Sequence, residues 1–264
     1  MPAQTPPVSD TPQSAGGDAS TPWNGLGPSF SPLYQQIKGL LLKSLQDGEW
    51  KPGELIPSET ELAARYGVSQ GTVRKAIDEL AAENLVDRKQ GRGTFVATHN
   101  EAKSEYRFLR LAADEEPGVK PKSTYLSVER VRASSQIAKL LDIKPSDSVF
   151  VVKRVMRFDG VPRIFDEIWL PASQYKGLTL ERLQQWNSTL YGFLESSFNV
   201  RMLRANEHIK AVSAQAEHAD ILQVAEGTPL LLVERLSMTY ADKPVELRRG
   251  WYLTDKFSYR NELY

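Results

Sequence analysis

The chain of 264 residues contains no cysteine. Disulfide bridges, thiol nucleophiles and Cys-ligated zinc are therefore excluded. Histidine is nearly as scarce: His99, His208 and His218 are the whole supply, and none stands at a ligand spacing such as HxxxH. A zinc hydrolase has little to stand on, and no metal or other cofactor is expected. No run approaches the ~18 apolar residues of a membrane span, so no membrane partner is expected. Net charge is also missing, with 33 Lys and Arg against 33 Asp and Glu. That excludes a uniformly basic nucleic-acid coat, and any such contact must use a local cluster. Residues 1–29 lack Lys and Arg and are rich in Pro, Ser, Thr, Gly and Gln. They do not read as a secretory signal. They read as a disordered tail that cannot bury enough apolar surface to fold. The cytoplasm is the expected compartment.

What is present is ordinary globular material, 41% hydrophobic and 25% charged, in a length that points to two domains. Ser31-Pro32 reads as a helix start, N-cap and then proline at the first helical position. Leu33, Ile37, Leu40, Leu41 and Leu45 follow at helical spacing. Pro57-Ser58 opens a second helix, and Glu61, three residues after Ser58, completes a capping box. Gly67 breaks it. Ser69 caps a third helix whose Val73, Ile77 and Leu80 share a face. Two short strand-like runs, 85–88 and 94–97, flank Lys89-Gln90-Gly91-Arg92-Gly93, a tight hairpin tip with a basic apex. Residues 30–98 form the first expected domain and 99–111 a linker.

From residue 112 to 264 the pattern changes to strands interrupted by helices, with an internal repeat. Residues 136–143 precede 148–155, then Asp159-Gly160-Val161-Pro162 and Trp169. Residues 217–224 precede 229–236, then Ala241-Asp242-Lys243-Pro244 and Trp251. Each copy reads helix, long strand, tight turn, long strand. Two such hairpins side by side predict an antiparallel sheet with helices packed on it, an α+β domain.

Helix, turn, helix and hairpin in that order form a winged helix-turn-helix. The N-terminal end of its third helix would face base edges in a DNA major groove. Those residues are Ser69, Gln70, Gly71, Thr72, Arg74 and Lys75. Hydroxyls and backbone N–H groups suit phosphate, Gln70 suits adenine, and Arg74 suits guanine or phosphate. Arg92, at the wing tip, can reach a minor groove or the flanking backbone. Composition alone would not find this function, because residues 30–99 hold nine Lys and Arg and nine Asp and Glu.

Residues 31–96 closely resemble the winged helix-turn-helix of the GntR family of bacterial regulators. The matching strings are GELIPSETEL from Gly53, GVSQGTVRKA from Gly67, LVDR from Leu85 and GRGTFV from Gly91. The resemblance implies DNA contacts at Ser58 and Thr60, from Ser69 to Thr72, at Arg74, and from Gly91 through Arg92 to Gly93. It departs from the family at Gln70, where arginine is usual, so the base preferred there is expected to differ. Residues 112–264 resemble the effector domain of the HutC-type subfamily, called UTRA, whose fold is similar to chorismate lyase. The residues that carry this are 154–157 with Asp159-Gly160, 166–171, and 234–240 with 244–246.

Strand alternation puts Lys153, Val155 and Arg157 on one face and Arg154 on the other. In the repeat, Glu234 matches Lys153. A pocket of Arg157, Lys153 and Glu234 would suit an anionic metabolite with hydroxyl or amino groups. The resemblance adds Tyr240 and one of Asp166 and Glu167, and implies ligands such as sugar phosphates or small organic acids. The expected protein is a homodimer on double-stranded, pseudo-palindromic operator DNA, a repressor released by its small-molecule effector. Two rivals remain: a lyase-like enzyme fused to a DNA-binding module, and a protein-interaction module. No nucleophile–base pair stands out by spacing, so no catalytic residue is assigned and no enzyme is expected.

Overall fold

A computed structural model describes residues 31–99, 108–115 and 119–261. The tail expected over 1–29 lies outside these residues, as does most of the linker expected over 99–111.

The N-terminal part comprises α1 (Leu33–Gln46), α2 (Glu59–Tyr66), α3 (Gln70–Ala82), β1 (Val86–Lys89) and β2 (Gly93–Val96). α1 buries Ile37, Leu41 and Leu45 against Val73, Ala76, Ile77 and Leu80 of α3 and Leu62 of α2. Each fully buried aliphatic side chain of this set contributes roughly 1.5–3 kcal/mol. The helix starts follow local chemistry. The Ser58 backbone N–H donates to the Glu61 carboxylate at 2.8 Å while Glu61 N–H donates to Ser58 Oγ at 3.3 Å. Gly67 then ends α2 in the left-handed region, φ 65°, where a Cβ would be strained. Ser69 caps α3 by accepting from Thr72 N–H at 3.2 Å. β1 and β2 pair antiparallel. The extended piece at Leu55-Ile56 joins them, Ile56 N–H donating to the Thr94 carbonyl at 2.9 Å.

The remainder comprises β3 (Leu111–Ala113), β4 (Lys122–Arg132), α4 (Ser135–Leu140), β5 (Ser148–Phe158), β6 (Val161–Pro171), α5 (Leu180–Gln184), α6 (Leu190–Phe198), β7 (Arg204–Ser213), α7 (Ala216–Leu222), β8 (Pro229–Met238), β9 (Pro244–Tyr252) and β10 (Phe257–Tyr259). Six strands form one antiparallel sheet in the order β4-β5-β6-β9-β8-β7, while β3 and β10 pair separately. The order is a two-fold pattern. β4-α4-β5-β6 and β7-α7-β8-β9 are equivalent halves that meet where β6 pairs with β9. The repeat expected from sequence is thus present with one more strand per copy. β4 and β7 lie at the sheet edges and are largely exposed on both sides, so neither shows the apolar alternation of a half-buried strand.

One face of the sheet carries α4 and α7, with Val155, Phe165, Ala219 and Leu222 in its core. The other carries α5 and α6, with Val152, Ile168, Leu183, Leu194 and Met202 between them. At the central seam Gly250 faces Asp166. A Cβ there would lie 2.7 Å from Asp166 Oδ1 and 2.5 Å from the Tyr252 ring. Both neighbours are buried, so neither can yield cheaply. Gly250→Ala is expected to cost about 1–3 kcal/mol through overpacking. Thermal denaturation checks this, and an unchanged midpoint would contradict the close approach.

Candidate functional site

Two regions gather chemistry. The first is an open groove between the starts of α2 and α3 and the β1–β2 wing. It is lined by Ser58, Glu59, Thr60, Gln70, Arg88, Gly91, Arg92 and Gly93, among others. Ser69, Gly71 and Arg74 are exposed beside it and Thr72 is half-buried. Ser69 Oγ and Thr72 Oγ1 lie 2.8 Å apart at the helix start. Lys75 alone among the expected contacts turns aside, its Nζ 3.9 Å above the Tyr34 ring of α1.

Glu59 and Arg88 are not among the contacts expected from sequence, although Arg88 belongs to the basic cluster of the hairpin. Glu59 accepts from Arg74 Nε and Arg88 Nη1, each at 2.9 Å, and from Gln70 Nε2 at 3.4 Å. Burial pushes its carboxyl up, but the hydrogen bonds from Arg74 and Arg88 outweigh that and hold it below the ordinary value. One carboxylate of α2 thereby fixes side chains of the third helix and the wing together.

The second region is a cavity of about 420 Å³ on the α5–α6 face of the sheet. Arg154 of β5, Arg235 of β8 and Arg248 of β9 enter its wall with Lys122, Tyr125, Met156, Leu190, Tyr191 and Tyr252, and Phe108 and Leu109 close it from the chain before β3. The three arginines are nearly inaccessible, 4%, 2% and 6% exposed, and each carries a carboxylate partner. Arg154 Nε donates to Asp166 at 3.0 Å, Arg248 Nε to Glu246 at 2.7 Å, and Arg235 Nε to Glu207 at 2.6 Å. Arg248 Nη1 also lies 3.8 Å from Asp166, and the Tyr191 hydroxyl donates to Glu246 at 3.3 Å. Burial pushes the Tyr252 phenol up to about 12, so it enters the wall as a neutral hydroxyl.

The cavity gathers few of the residues expected for it. Lys153 lies on the opposite face, its Nζ 2.6 Å from Glu217 of α7 and 3.4 Å from Glu167. Glu234 lies there too, 2.8 Å from Arg249 Nε. Arg157 follows a register shift in β5; it does not line the cavity itself, but donates at 3.2 Å to Thr124 Oγ1, which does. Tyr240 lines a separate cleft with Trp50, Pro52 and Arg201. Of the Asp166–Glu167 pair, it is Asp166 that stands behind the cavity wall. The alternation of β5 is as expected, but the cavity is on the side of Arg154. The repeat carried a usable signal, since Arg154 and Arg235 are the residues next to the matched Lys153 and Glu234.

The chain leaving the winged part is anchored to the cavity wall. Thr98 Oγ1 donates to Glu195 of α6 at 2.5 Å, and His99 N–H donates to the same carboxylate at 2.8 Å. The His99 ring donates through Nε2 to the Met202 carbonyl at 2.7 Å and packs 5.6 Å from the Tyr191 ring. Phe108 meets Tyr191 edge-on at 5.4 Å. Burial pushes the Glu195 carboxyl up, against the pull of Thr98, His99 and Arg201. Arg201, just beyond α6, donates to the carbonyls of Leu85 and Asn84 at 3.1 and 2.9 Å.

Comparison with known proteins agrees with this architecture. Residues 33–96 match the family of bacterial regulatory proteins, gntR family, and residues 116–258 match the UTRA domain. The chain is 31% identical over 219 residues to a protein of Escherichia coli named "Probable fructoselysine utilization operon transcriptional repressor", covering 81% of this chain and 88% of that one. It is 31% identical over 236 residues to the histidine utilization repressor of Pseudomonas putida, covering 88% of each. Among solved structures, the ligand-binding domain of a GntR-family regulator from Bordetella bronchiseptica superposes with a TM-score of 0.60. It is 45% identical and covers 61% of this chain and 99% of that one. With a winged helix-turn-helix ahead of a six-stranded UTRA domain, the chain belongs to the GntR family of transcription regulators, in its HutC-type branch.

Proposed function

We propose that the protein is a homodimeric cytoplasmic repressor that leaves a pseudo-palindromic operator when a small anionic metabolite enters the cavity of its UTRA domain. Repression is carried over from relatives named as repressors of utilization operons. DNA contact is assigned to Ser58, Thr60, Ser69, Gln70, Gly71, Thr72, Arg74 and the wing from Gly91 to Gly93. The effector contacts are assigned to Arg154, Arg235 and Arg248, in place of Lys153, Arg157 and Glu234.

One observation carries the control. Leu190 and Tyr191 in the cavity wall and Glu195 at the linker anchor belong to the same short helix. A ligand that moves Tyr191 moves the carboxylate that holds Thr98 and His99. Two winged domains released from fixed anchors lose the half-site spacing that a dimeric reader needs.

The test is duplex binding. A site selected from a randomised duplex pool should bind with an affinity that falls steeply with salt, because phosphate neutralisation releases counterions. Arg74→Ala should weaken that site by about 1–3 kcal/mol while the melting temperature stays unchanged. Salt-insensitive binding, or an Arg74→Ala protein that binds as the parent does, would overturn the assignment. A protein-interaction module would select no duplex at all.

A further inference from the structure

We infer that Glu59 is a positioning residue for base readout: it commits Gln70 and Arg74 to base edges and turns phosphates away, with Arg88 as its strut rather than a DNA contact. The inference rests on the DNA-binding reading above and adds which groups discriminate between sequences. It starts from the donors that the carboxylate occupies. Glu59 Oε2 accepts from Arg74 Nε at 2.9 Å, and the two Nη groups of Arg74 have no partner among the described residues. A guanidinium held through Nε presents its end, the Nη fork, which fits the O6 and N7 acceptors of guanine. The same oxygen accepts from Gln70 Nε2 at 3.4 Å. An ionised carboxylate only accepts, so the amide nitrogen of Gln70 faces Glu59 and its carbonyl faces away. Gln70 keeps one N–H and one carbonyl, the pair that adenine N7 and N6 require.

Charge separates a base edge from a phosphate. Burial raises the Glu59 carboxyl, but the hydrogen bonds from Arg74 and Arg88 hold it below the ordinary value, so it is ionised at neutral pH. A phosphate drawn to Arg74 would lie beside that negative charge, and like charges brought together repel. A base edge is neutral and meets no such penalty. The carboxylate thus works against wrong contacts as well as for right ones. Arg88 is engaged within the protein. Its Nη1 donates to Glu59 at 2.9 Å, and its Nη2 lies 2.7 Å from Asp78 and 3.3 Å from the Arg74 carbonyl. These bonds tie the wing strand to α2 and α3 and hold the carboxylate where both readers reach it.

The test uses the full chain, the duplex that the parent selects, single base-pair changes across one half-site, and an unrelated duplex, each read by fluorescence anisotropy over a salt series. The selected half-site should hold a G·C pair read by Arg74 and an A·T pair read by Gln70. Arg74→Ala and Gln70→Ala should each relax the preference at its own pair, by about 5- to 150-fold. Glu59→Gln should relax both pairs and weaken the selected site while it binds the unrelated duplex more tightly, narrowing the ratio between the two by about tenfold or more. A folding defect would weaken both duplexes. Glu59→Asp keeps the charge on a shorter stem and should hold the unrelated duplex at the parent's level. Arg88→Gln should weaken the selected site without flattening the salt dependence, because no phosphate contact is lost. A Glu59→Gln protein of unchanged melting temperature that keeps both base preferences, or that weakens both duplexes alike, overturns the inference. So does an Arg88→Gln salt slope shallower by about one per half-site, or an Arg74→Ala protein that relaxes no base pair. These last two replace exposed side chains and decide the matter should Glu59→Gln not fold. A parent that selects no duplex overturns the DNA reading, and this inference falls with it.

Discussion

Asp166→Ala is expected to lower the stability of the folded chain by about 3–5 kcal/mol, the range for breaking a buried ion pair from one side. Asp166 is wholly buried and accepts from Arg154 through Nε and Nη2. Arg248 lies close by as well, but it retains Glu246. Among the described residues Arg154 has no such second carboxylate, so the variant strands a guanidinium in the sheet. Urea unfolding should show an earlier midpoint with an unchanged slope. The exposed pair Arg204–Asp242, more than half accessible on both sides, provides the contrast, since its removal should cost less than about 1 kcal/mol. Replacing both partners, Arg154→Met with Asp166→Leu, should recover most of the loss, because an apolar pair of similar volume satisfies the site without stranding a charge. An Asp166→Ala protein within about 1 kcal/mol of the parent would mean the pair is hydrated, contrary to its burial.

Glu195→Ala should leave a protein that binds operator and effector separately but no longer links them. Effectors in allosteric proteins commonly change affinity by about 5- to 150-fold. Here that factor should fall toward one, because the carboxylate joining Thr98 and His99 to α6 is gone. The Thr98 hydroxyl and His99 amide lose their acceptor inside the fold, so a stability loss of about 1–3 kcal/mol is expected alongside. Glu195→Gln keeps an acceptor and should retain part of the coupling. Fluorescence anisotropy on labelled operator, with and without effector, reads the factor directly. An alanine variant that responds as the parent does would place the coupling elsewhere, with the Arg201 clasp on Asn84 and Leu85 the next connection to cut.

The winged part was legible because its instructions are local. Ser58 with Glu61, Gly67, Ser69 and the Gly91–Gly93 tip each act within a few residues, and the apolar spacing of α3 names its buried face. The hairpins β5–β6 and β8–β9 were legible for the same reason, through their turns and their repetition. The cavity was not. Alternation along β5 separates Lys153 from Arg154, but it does not say which side will be roofed. That choice is made by α5 and α6, which lie far along the chain and whose packing on β4 and β5 is wholly non-local. Glu59 escaped for a related reason. Its partners Arg74 and Arg88 lie 15 and 29 residues away, and only the folded arrangement of helix and wing brings them to one carboxylate.

Phe108 and Leu109 form part of the cavity wall, and Thr98 and His99 are held by α6 a short way back along the same connecting chain. The two halves are therefore less interchangeable than their order in sequence implies. A chimera joined after residue 96 carries the wall and the anchor along with the UTRA domain, while one joined at residue 111 leaves both behind. The connecting chain thus carries a piece of the cavity wall and the anchor within about a dozen residues of each other.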